Sequence, residues 1–176
     1  MIRAFDNMTP TLAEGAWVDE TAVVIGAVRL GEDVSVWPTT VMRGDVNTIE
    51  VGARTNIQDG TVVHVTHDGP YTPGGIPTVI GADVTIGHRA IVHACTLGDR
   101  VLVGMGATVM DGAVVEEDVI VGANALVPPG KRLQSGHLYF GSPVRKAREL
   151  TDEDREQLVY SARHYVQLKR RHEGGE

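Results

Sequence analysis

Three of the seven histidines in this 176-residue chain are spaced so that their side chains could reach one metal ion. His64 and His93 each directly follow the third aliphatic residue of a repeating block, so they take the same position on successive blocks. If the blocks stack as strands, the two imidazoles stand roughly 4.8 Å apart on one outward face. Two imidazoles placed in this way can share a metal at ~2.0–2.1 Å from each nitrogen. The pair therefore predicts a metal site.

The third histidine, His88, lies elsewhere in its block. It follows Ile86, the second aliphatic residue, by two positions, which places it near a different corner of the coil. It cannot easily reach the His64/His93 pair of its own chain, but in a three-fold trimer the neighbour's His88 can complete the site. We therefore predict a homotrimer with a three-histidine site between subunits and a fourth position open to water, an arrangement of the catalytic type. The alternative is three ordinary surface residues.

Charged residues accompany these histidines in the same columns. Arg43 falls in the column of the histidine pair, one block earlier, and Asp45 lies two residues past it. Asp59 takes the column position of His88, again one block earlier. We expect Arg43, Asp45 and Asp59 to flank a subunit interface, the alternative being solvated surface charge, which contributes little.

Each block that must position these side chains consists of three six-residue units, and the six-residue period starts at Val18. An aliphatic residue, often followed by Gly, precedes a small or β-branched residue four positions later. A helix needs a period of 3.6 and a free strand a period of 2, so a period of six indicates short strands joined by tight bends. Three such units make one turn of a triangular coil, and the turns stack. The aliphatic series is Val18, Val24, Leu30, Val36, Met42, then Val51, Ile57, Val63, then Ile80, Ile86, Val92, then Leu97, Val103, Val109, Val115, Val121 and Val127.

Two insertions and a change of pattern divide the chain. Three residues are added between Met42 and Val51, and eleven between Val63 and Ile80, where a Pro- and Gly-rich loop covers residues 66–77. Long loops on repeat scaffolds are often functional. We predict a β-helix domain at 1–142 and a segment at 143–176 whose helix starts after Thr151 as N-cap and packs on the coil. The end, Glu173 to Glu176, should fray.

Composition and charge narrow the function classes. The net charge of −7 argues against a nucleic-acid or anionic-membrane binder. No apolar run approaches the ~20 residues that span a bilayer, and the first ten residues lack the apolar core of a secretory signal. A single cysteine excludes an internal disulfide framework. We expect a cytoplasmic protein.

The combined motifs resemble the gamma-class carbonic anhydrase family over nearly the whole chain. They are Arg43-Gly44-Asp45, Asn56-Ile57-Gln58-Asp59-Gly60, His64, and Ile86-Gly87-His88 with His93 five residues later. The resemblance implies an all-β fold, a left-handed parallel β-helix of hexapeptide repeats with a C-terminal α-helix, packed as a homotrimer. It also implies that His64 and His93 of one subunit and His88 of the next bind the metal.

Further site residues follow from the same resemblance. Gln58 and Asp59 match the family's site Gln and Asp, Arg43 and Asp45 match its interface pair, and Tyr139 corresponds to a late Tyr near the site. The implied reaction is the reversible hydration of carbon dioxide to bicarbonate. The metal is zinc, or alternatively Fe(II) or cobalt, because imidazole suits several of these ions.

Two positions depart from the best-characterised branch of that family. Val46 stands where that branch has an acid, and the 66–77 loop contains no Glu to shuttle protons. His67 or Asp68 would then carry the proton, since histidine side chains as a class exchange protons near neutral pH. Two other functions stay open: a metal-dependent thioester hydrolase or acyl transferase, and a non-catalytic trimeric scaffold stabilised by metal.

Overall fold

The six-residue repeat folds as short strands joined by tight corners, in a computed structural model that describes residues 1–174. One helix, α1 (Asp152–His172), follows the strands. In chain order the strands are β1 (Ile2–Arg3), β2 (Thr11–Leu12), β3 (Trp17–Val18), β4 (Val23–Leu30), β5 (Ser35–Val36), β6 (Val41–Val51), β7 (Asn56–Ile57), β8 (Val62–His64), β9 (Thr78–Ile80), β10 (Thr85–Ile86), β11 (Ile91–His93), β12 (Thr96–Leu97), β13 (Leu102–Val103), β14 (Thr108–Val109), β15 (Val114–Val115), β16 (Ile120–Val121), β17 (Leu126–Val127), β18 (Arg132–Leu133), β19 (His137–Gly141) and β20 (Val144–Glu149).

These strands form two sheets. The larger runs in the order β17-β14-β11-β8-β6-β9-β12-β15-β18, with β4 beside β6. The first part of β6 pairs with β8 and its last part with β9, so this single sheet covers two faces of the coil. The other sheet, β20-β19-β16-β13-β10-β7-β5-β3, forms the third face. Within residues 1–174, the strand ladders are parallel except that of β19 with β20. The predicted fold class, a left-handed parallel β-helix with a C-terminal helix, is confirmed.

The aliphatic series forms the core that the period predicts. From Val24 to Val127, every member is at most 5% exposed, because each points inward from its short strand. The accompanying small residues, such as Ala90 and Ala113, are buried at the corners between them. Only Val18, at the open first turn, is half-buried. Inward columns of this kind leave the residue after each aliphatic free to point outward, which is where His64 and His93 stand.

At the corners of the coil, glycine permits close backbone approach, and polar residues adopt the left-handed conformation. A Cβ added at Gly81 would lie 2.7 Å from the carbonyl carbon of Gly98 on the next turn, so glycine permits close backbone approach here. The left-handed conformation falls two residues later, at Asp83 (φ 57), and at the equivalent Arg54 (φ 59) one turn earlier. The Arg54 guanidinium donates to the Asp83 carboxylate at 2.7 Å, which ties the two corners together.

The 66–77 loop leaves the coil through a narrow base. Thr66 and Ile76 exchange two backbone hydrogen bonds, of 3.0 and 2.9 Å, and Asn47 donates its side-chain amide to the Thr66 carbonyl at 3.2 Å. The coil therefore resumes at Thr78 in register, and the Thr78 hydroxyl donates to the carbonyl of His64 at 2.6 Å.

The helix begins where the sequence predicts. The Thr151 hydroxyl accepts from the Asp154 backbone N–H at 3.1 Å, and the Asp154 carboxylate accepts from the Thr151 N–H at 2.7 Å, a reciprocal capping box. One face of the helix is buried, since Leu158 and Ala162 are 2% and 0% exposed. The helix packs on the third face of the coil, where the hydroxyls of Ser161 and Thr85 lie 3.0 Å apart.

The segment after residue 142 begins with the last strand of the third face. Strand β20 returns antiparallel to β19 before the chain enters α1. Of the expected frayed end, residues 173 and 174 form a turn, and residues 175 and 176 lie outside the described part of the chain. Within that described part, no helix has the length and apolar character needed to cross a membrane.

Candidate metal centre

His64 and His93 end two neighbouring strands, β8 and β11, and the predicted register between them is confirmed. The two residues are direct partners in the parallel ladder, with ring centroids 5.2 Å apart. Nδ1 of His64 and Nε2 of His93 lie 3.2 Å from each other. The eleven-residue insertion does not disturb this pairing, because the 66–77 loop leaves and rejoins the coil at the same corner.

The outer nitrogen of each histidine is the one that faces away from the other ring, and the outer nitrogen of His64, Nε2, contacts Asp45. His64 Nε2 lies 3.1 Å from Asp45 Oδ1, and Arg43 donates to Asp45 Oδ2 at 2.5 Å. Burial raises the pKa of Asp45, but the hydrogen bonds from Arg43 and His64 outweigh it, so the net pKa lies below the ordinary value. Burial also lowers the pKa of His64, more than the hydrogen bond to Asp45 raises it. The structure thus pairs a carboxylate with a neutral imidazole.

The outer nitrogen of His93, Nδ1, contacts a carboxylate that the sequence motifs did not indicate. His93 Nδ1 lies 2.8 Å from Asp111 Oδ1, and the Thr66 hydroxyl donates to Asp111 Oδ2. Burial raises the pKa of Asp111, while the hydrogen bonds from Thr66 and His93 lower it by more. Asp111 follows His93 by 18 residues, but the ladder pairs β11 with β14 at an offset of 17, so the column position of His93 falls on Met110 and the period does not identify Asp111.

His88 stands at the corner after β10, on the other sheet. Its Nδ1 lies 2.8 Å from Asp59 Oδ2, and the register of β7 with β10 confirms that these residues share a column. Both side chains are almost half exposed, at 45% and 46%. Tyr165 reaches the same corner from α1: burial raises its pKa, and the charge of Asp59 adds to the increase. The sequence motifs did not indicate Tyr165 as a site residue.

Gln58 is buried beside His88. Its amide donates to Asn56 Oδ1 at 3.0 Å, and Asn56 in turn donates to the Thr85 hydroxyl at 3.0 Å. Gln58 and His88 both line a cavity of about 410 Å³, whose remaining walls are mainly apolar. Leu102 and Ile120 lie among those walls. The predicted site glutamine is therefore fixed in orientation on the wall of a mainly apolar cavity.

The two predicted proton carriers lie in the loop. His67 is exposed, and its ring folds toward Gly69, where an added Cβ would lie 3.0 Å from His67 Nε2. The Asp68 carboxylate accepts from the Gly74 N–H at 2.7 Å and so braces the loop. In the described residues, no hydrogen bond joins either side chain to the histidine pair. His67 thus has the solvent access that a proton carrier needs, whereas Asp68 is engaged in holding the loop.

Tyr139 is not brought to the histidines. It continues the inward column of Val121 in β19, is 4% exposed, and its hydroxyl accepts from the Gln134 N–H at 3.0 Å. Its position is three turns beyond Ile86, roughly 14 Å along the coil at ~4.8 Å per strand. A tyrosine at this core position closes the last turn of the coil.

The donor atoms of the histidine pair fit a metal ion. An ionised carboxylate only accepts, so Asp45 and Asp111 require N–H at the outer nitrogens of His64 and His93. If both imidazoles are neutral, the inner nitrogens, Nδ1 of His64 and Nε2 of His93, are both acceptors. They face each other at 3.2 Å. Two lone pairs at this distance repel unless a cation lies between them. A tetrahedral zinc with Zn–N of ~2.05 Å needs nitrogens roughly 3.3 Å apart, which matches.

A single chain does not complete the ligand set. Within residues 1–174, no group of three or more His, Cys, Asp or Glu side chains is arranged to hold a metal ion. His64 and His93 supply two imidazoles, and His88 lies on another sheet beside Asp59.

Stacked hexapeptide turns with an outward histidine pair define the class as a hexapeptide-repeat protein with a candidate metal centre. A family model described as bacterial transferase hexapeptide (six repeats) matches residues 94–129. The solved structure of a hexapeptide transferase family protein from Anaplasma phagocytophilum superposes with a TM-score of 0.88, at 44% identity over 96% of each chain.

Sequence relatives narrow the class to a family. Protein YrdA of Escherichia coli (strain K12) is 52% identical over 96% of this chain and 92% of its own length. Gamma carbonic anhydrase 1, mitochondrial, of Arabidopsis thaliana is 44% identical over 98% of this chain, which spans 62% of that longer protein. The chain belongs to the gamma-class carbonic anhydrase family of hexapeptide-repeat proteins.

Proposed function

We propose that this protein hydrates carbon dioxide reversibly to bicarbonate at a zinc site made of His64 and His93 from one subunit and His88 from the next. The observation that carries the proposal is the pair of imidazole nitrogens, 3.2 Å apart, whose outer nitrogens are both committed to carboxylates. The membership of the chain in the gamma-class carbonic anhydrase family supports the same reaction.

The site is assembled in a homotrimer. Like both histidines of the pair, His88 has one ring nitrogen, Nδ1, on a carboxylate, and its Nε2 is left to bind a metal. It lies on another face of its own coil, however. The strands of the histidine pair also carry outward aliphatic side chains, Val62 and Ile91, which are register partners and are 40% and 42% exposed. Aliphatic side chains at this position are suited to contact with a neighbouring subunit that brings its His88 to the pair.

Bound by the three imidazoles, zinc would supply a Lewis acid able to lower the pKa of a water molecule to about 7. Gln58 orients carbon dioxide or bicarbonate through its amide, which Asn56 holds in place at 3.0 Å. The apolar walls beyond Gln58 and His88 provide room for an uncharged substrate. Hydration releases one proton, and His67 accepts it at the solvent-exposed loop before it passes to buffer.

A second candidate function is a metal-dependent thioester hydrolase or acyl transferase. The observation that favours it is the size of the cavity: about 410 Å³ of mainly apolar space exceeds the needs of a three-atom substrate and suits a short acyl group. The same ligands and the same Gln58 would serve an acyl carbonyl.

The test combines a metal assay with two activity assays. Zinc-loaded protein should contain about one zinc per chain, behave as a trimer in light scattering, and accelerate carbon dioxide hydration in a stopped-flow indicator assay. The variants His93→Ala and His88→Ala should each lose zinc, whereas His164→Ala, an exposed helix histidine, should keep it. Full zinc content in both site variants, or a monomer that binds zinc as tightly, contradicts the proposed ligand set.

The activity arms separate the candidate functions. Turnover of short acyl-CoA thioesters without carbon dioxide hydration would establish the second function. Zinc binding and trimer formation without either activity would identify a scaffold that uses the metal for assembly.

A further inference from the structure

The Asp111 carboxylate joins the metal ligand His93 to the base of the 66–77 loop. One oxygen lies 2.8 Å from His93 Nδ1, and the other accepts from the hydroxyl of Thr66, the residue at which the loop leaves the coil. Thr66 is held in turn by its two backbone hydrogen bonds to Ile76 and by Asn47. The chain thus has a continuous path of hydrogen bonds from the loop base to the imidazole.

Asp111 differs from Asp45, the carboxylate on the other histidine of the pair. Asp45 divides its oxygens between His64 and the guanidinium of Arg43, which neutralises its charge. Asp111 has no Lys or Arg partner in the described part of the chain, and its second contact is the neutral hydroxyl of Thr66. The negative charge of Asp111 therefore acts on His93 without competition from a cation.

We propose that Asp111 is a positioning residue: it fixes His93 with its proton on Nδ1 and its Nε2 lone pair turned toward His64, and Thr66 orients the carboxylate for this task. An acceptor-only carboxylate at 2.8 Å admits only the N–H form of the facing nitrogen. A carboxylate behind a ligating imidazole fixes the ring and makes the other nitrogen a better donor to the metal. This inference rests on the proposed zinc site for its effect on metal affinity, but not for the position of the proton.

The first measurement uses the metal-free protein. With ¹⁵N-labelled histidine at pH 8, long-range ¹H–¹⁵N correlation spectra should show His93 protonated on Nδ1 in the wild type. Asp111→Asn preserves the shape but can present either an amide N–H or a carbonyl to the ring, so the spectrum should change to a mixture of tautomers. A wild-type His93 protonated on Nε2, or a spectrum unchanged in Asp111→Asn, overturns the inference.

The second measurement is zinc affinity by competition with a chromophoric chelator. Asp111→Asn should bind zinc about 10- to 100-fold more weakly than the wild type, the usual effect of losing such a partner. Thr66→Val, which keeps the side-chain shape but removes the hydroxyl donor, should show a smaller loss in the same direction. Wild-type affinity in Asp111→Asn overturns the inference.

Asp83→Asn is the matched control. Asp83 is a partly exposed carboxylate at another corner, where it pairs with Arg54 at 2.7 Å, so its loss should lower the melting temperature without changing zinc affinity. A wild-type protein that binds no zinc would refute the proposed function instead, and the tautomer of His93 in the metal-free protein would then decide the inference alone.

Discussion

A buried lysine, Lys169, holds helix α1 on the coil. We predict that removing the charge of its partner, Asp33, strongly destabilises the protein. The Lys169 side chain is 1% exposed, with its ammonium 2.8 Å from Asp33 and in contact with the carbonyl of Gly15. Glu173 is the next carboxylate, at 4.0 Å. Asp33 has a φ of 55°, which Asn tolerates, so Asp33→Asn removes the charge without straining the backbone.

The size of the stability loss depends on the contacts that the Lys169 ammonium keeps in Asp33→Asn. A buried ammonium loses its charged partner but keeps the Gly15 carbonyl and an amide oxygen, so we expect a loss of about 3 kcal/mol, the lower end for a broken buried pair. For a chain of this size that corresponds to a fall in melting temperature of about 10 °C. Lys169→Met in the same background should restore most of the stability, because no charge is then buried.

Chemical denaturation with global fitting of single and double variants measures these differences. The control is Glu50→Gln, in a surface pair with Arg29 whose side chains are 47% and 71% exposed, where the expected loss is about 0–1 kcal/mol. If Asp33→Asn loses no more than this control, the Lys169 ammonium is solvated and the reasoning fails. A double variant less stable than Asp33→Asn would also refute it.

Three further predictions test the register, the helix cap and the loop. Val121→Asp should cost several kcal/mol, since Val121 is 0% exposed, while exposed Glu117→Ala should change the melting temperature little; similar losses would refute the register. Asp154→Asn should cost about 1 kcal/mol at pH 7; because hydrogen bonds from Arg148 and Thr151 lower the pKa of Asp154 in the folded state, this difference should shrink in melts below pH ~3.9, and a pH-independent difference would contradict it. His67→Ala should slow carbon dioxide hydration in dilute buffer and recover with added imidazole; unchanged turnover in dilute buffer would remove His67 as the proton carrier.

The periodicity of the sequence was sufficient to place the histidine pair. His64 and His93 are 29 residues apart, which is one 18-residue turn plus the eleven-residue insertion, and the ladder pairs them directly. The same period places Asp59 in the column of His88, as the register of β7 with β10 confirms. Register is predictable here because a slip by one residue would turn a column of inward aliphatic residues to solvent.

The remaining site features depend on packing that no period encodes. Asp111 looks like an ordinary surface charge in the sequence, and only the bend after β14 turns its carboxylate back toward His93. Tyr165 belongs to a helix whose periodicity identifies an inward face but not the sheet that the face covers. Tyr139 lies in the core because β19 continues the aliphatic column of β16. The sequence shows only two adjacent aromatic residues, Tyr139 and Phe140, after the repeat ends.

The departures from the best-characterised branch affect one step of the proposed reaction more than the others. Each of the three histidines has a carboxylate on one ring nitrogen, in Asp45, Asp111 and Asp59, so the chain provides every side chain that the proposed metal centre needs. Val46 stands where that branch has an active-site acid, and the missing loop Glu concerns export of the proton, for which the loop offers His67 in an exposed position and an Asp68 engaged with Gly74. Metal affinity and turnover should therefore vary independently: loop variants should alter turnover at constant zinc content, and Asp111 variants should alter zinc content first.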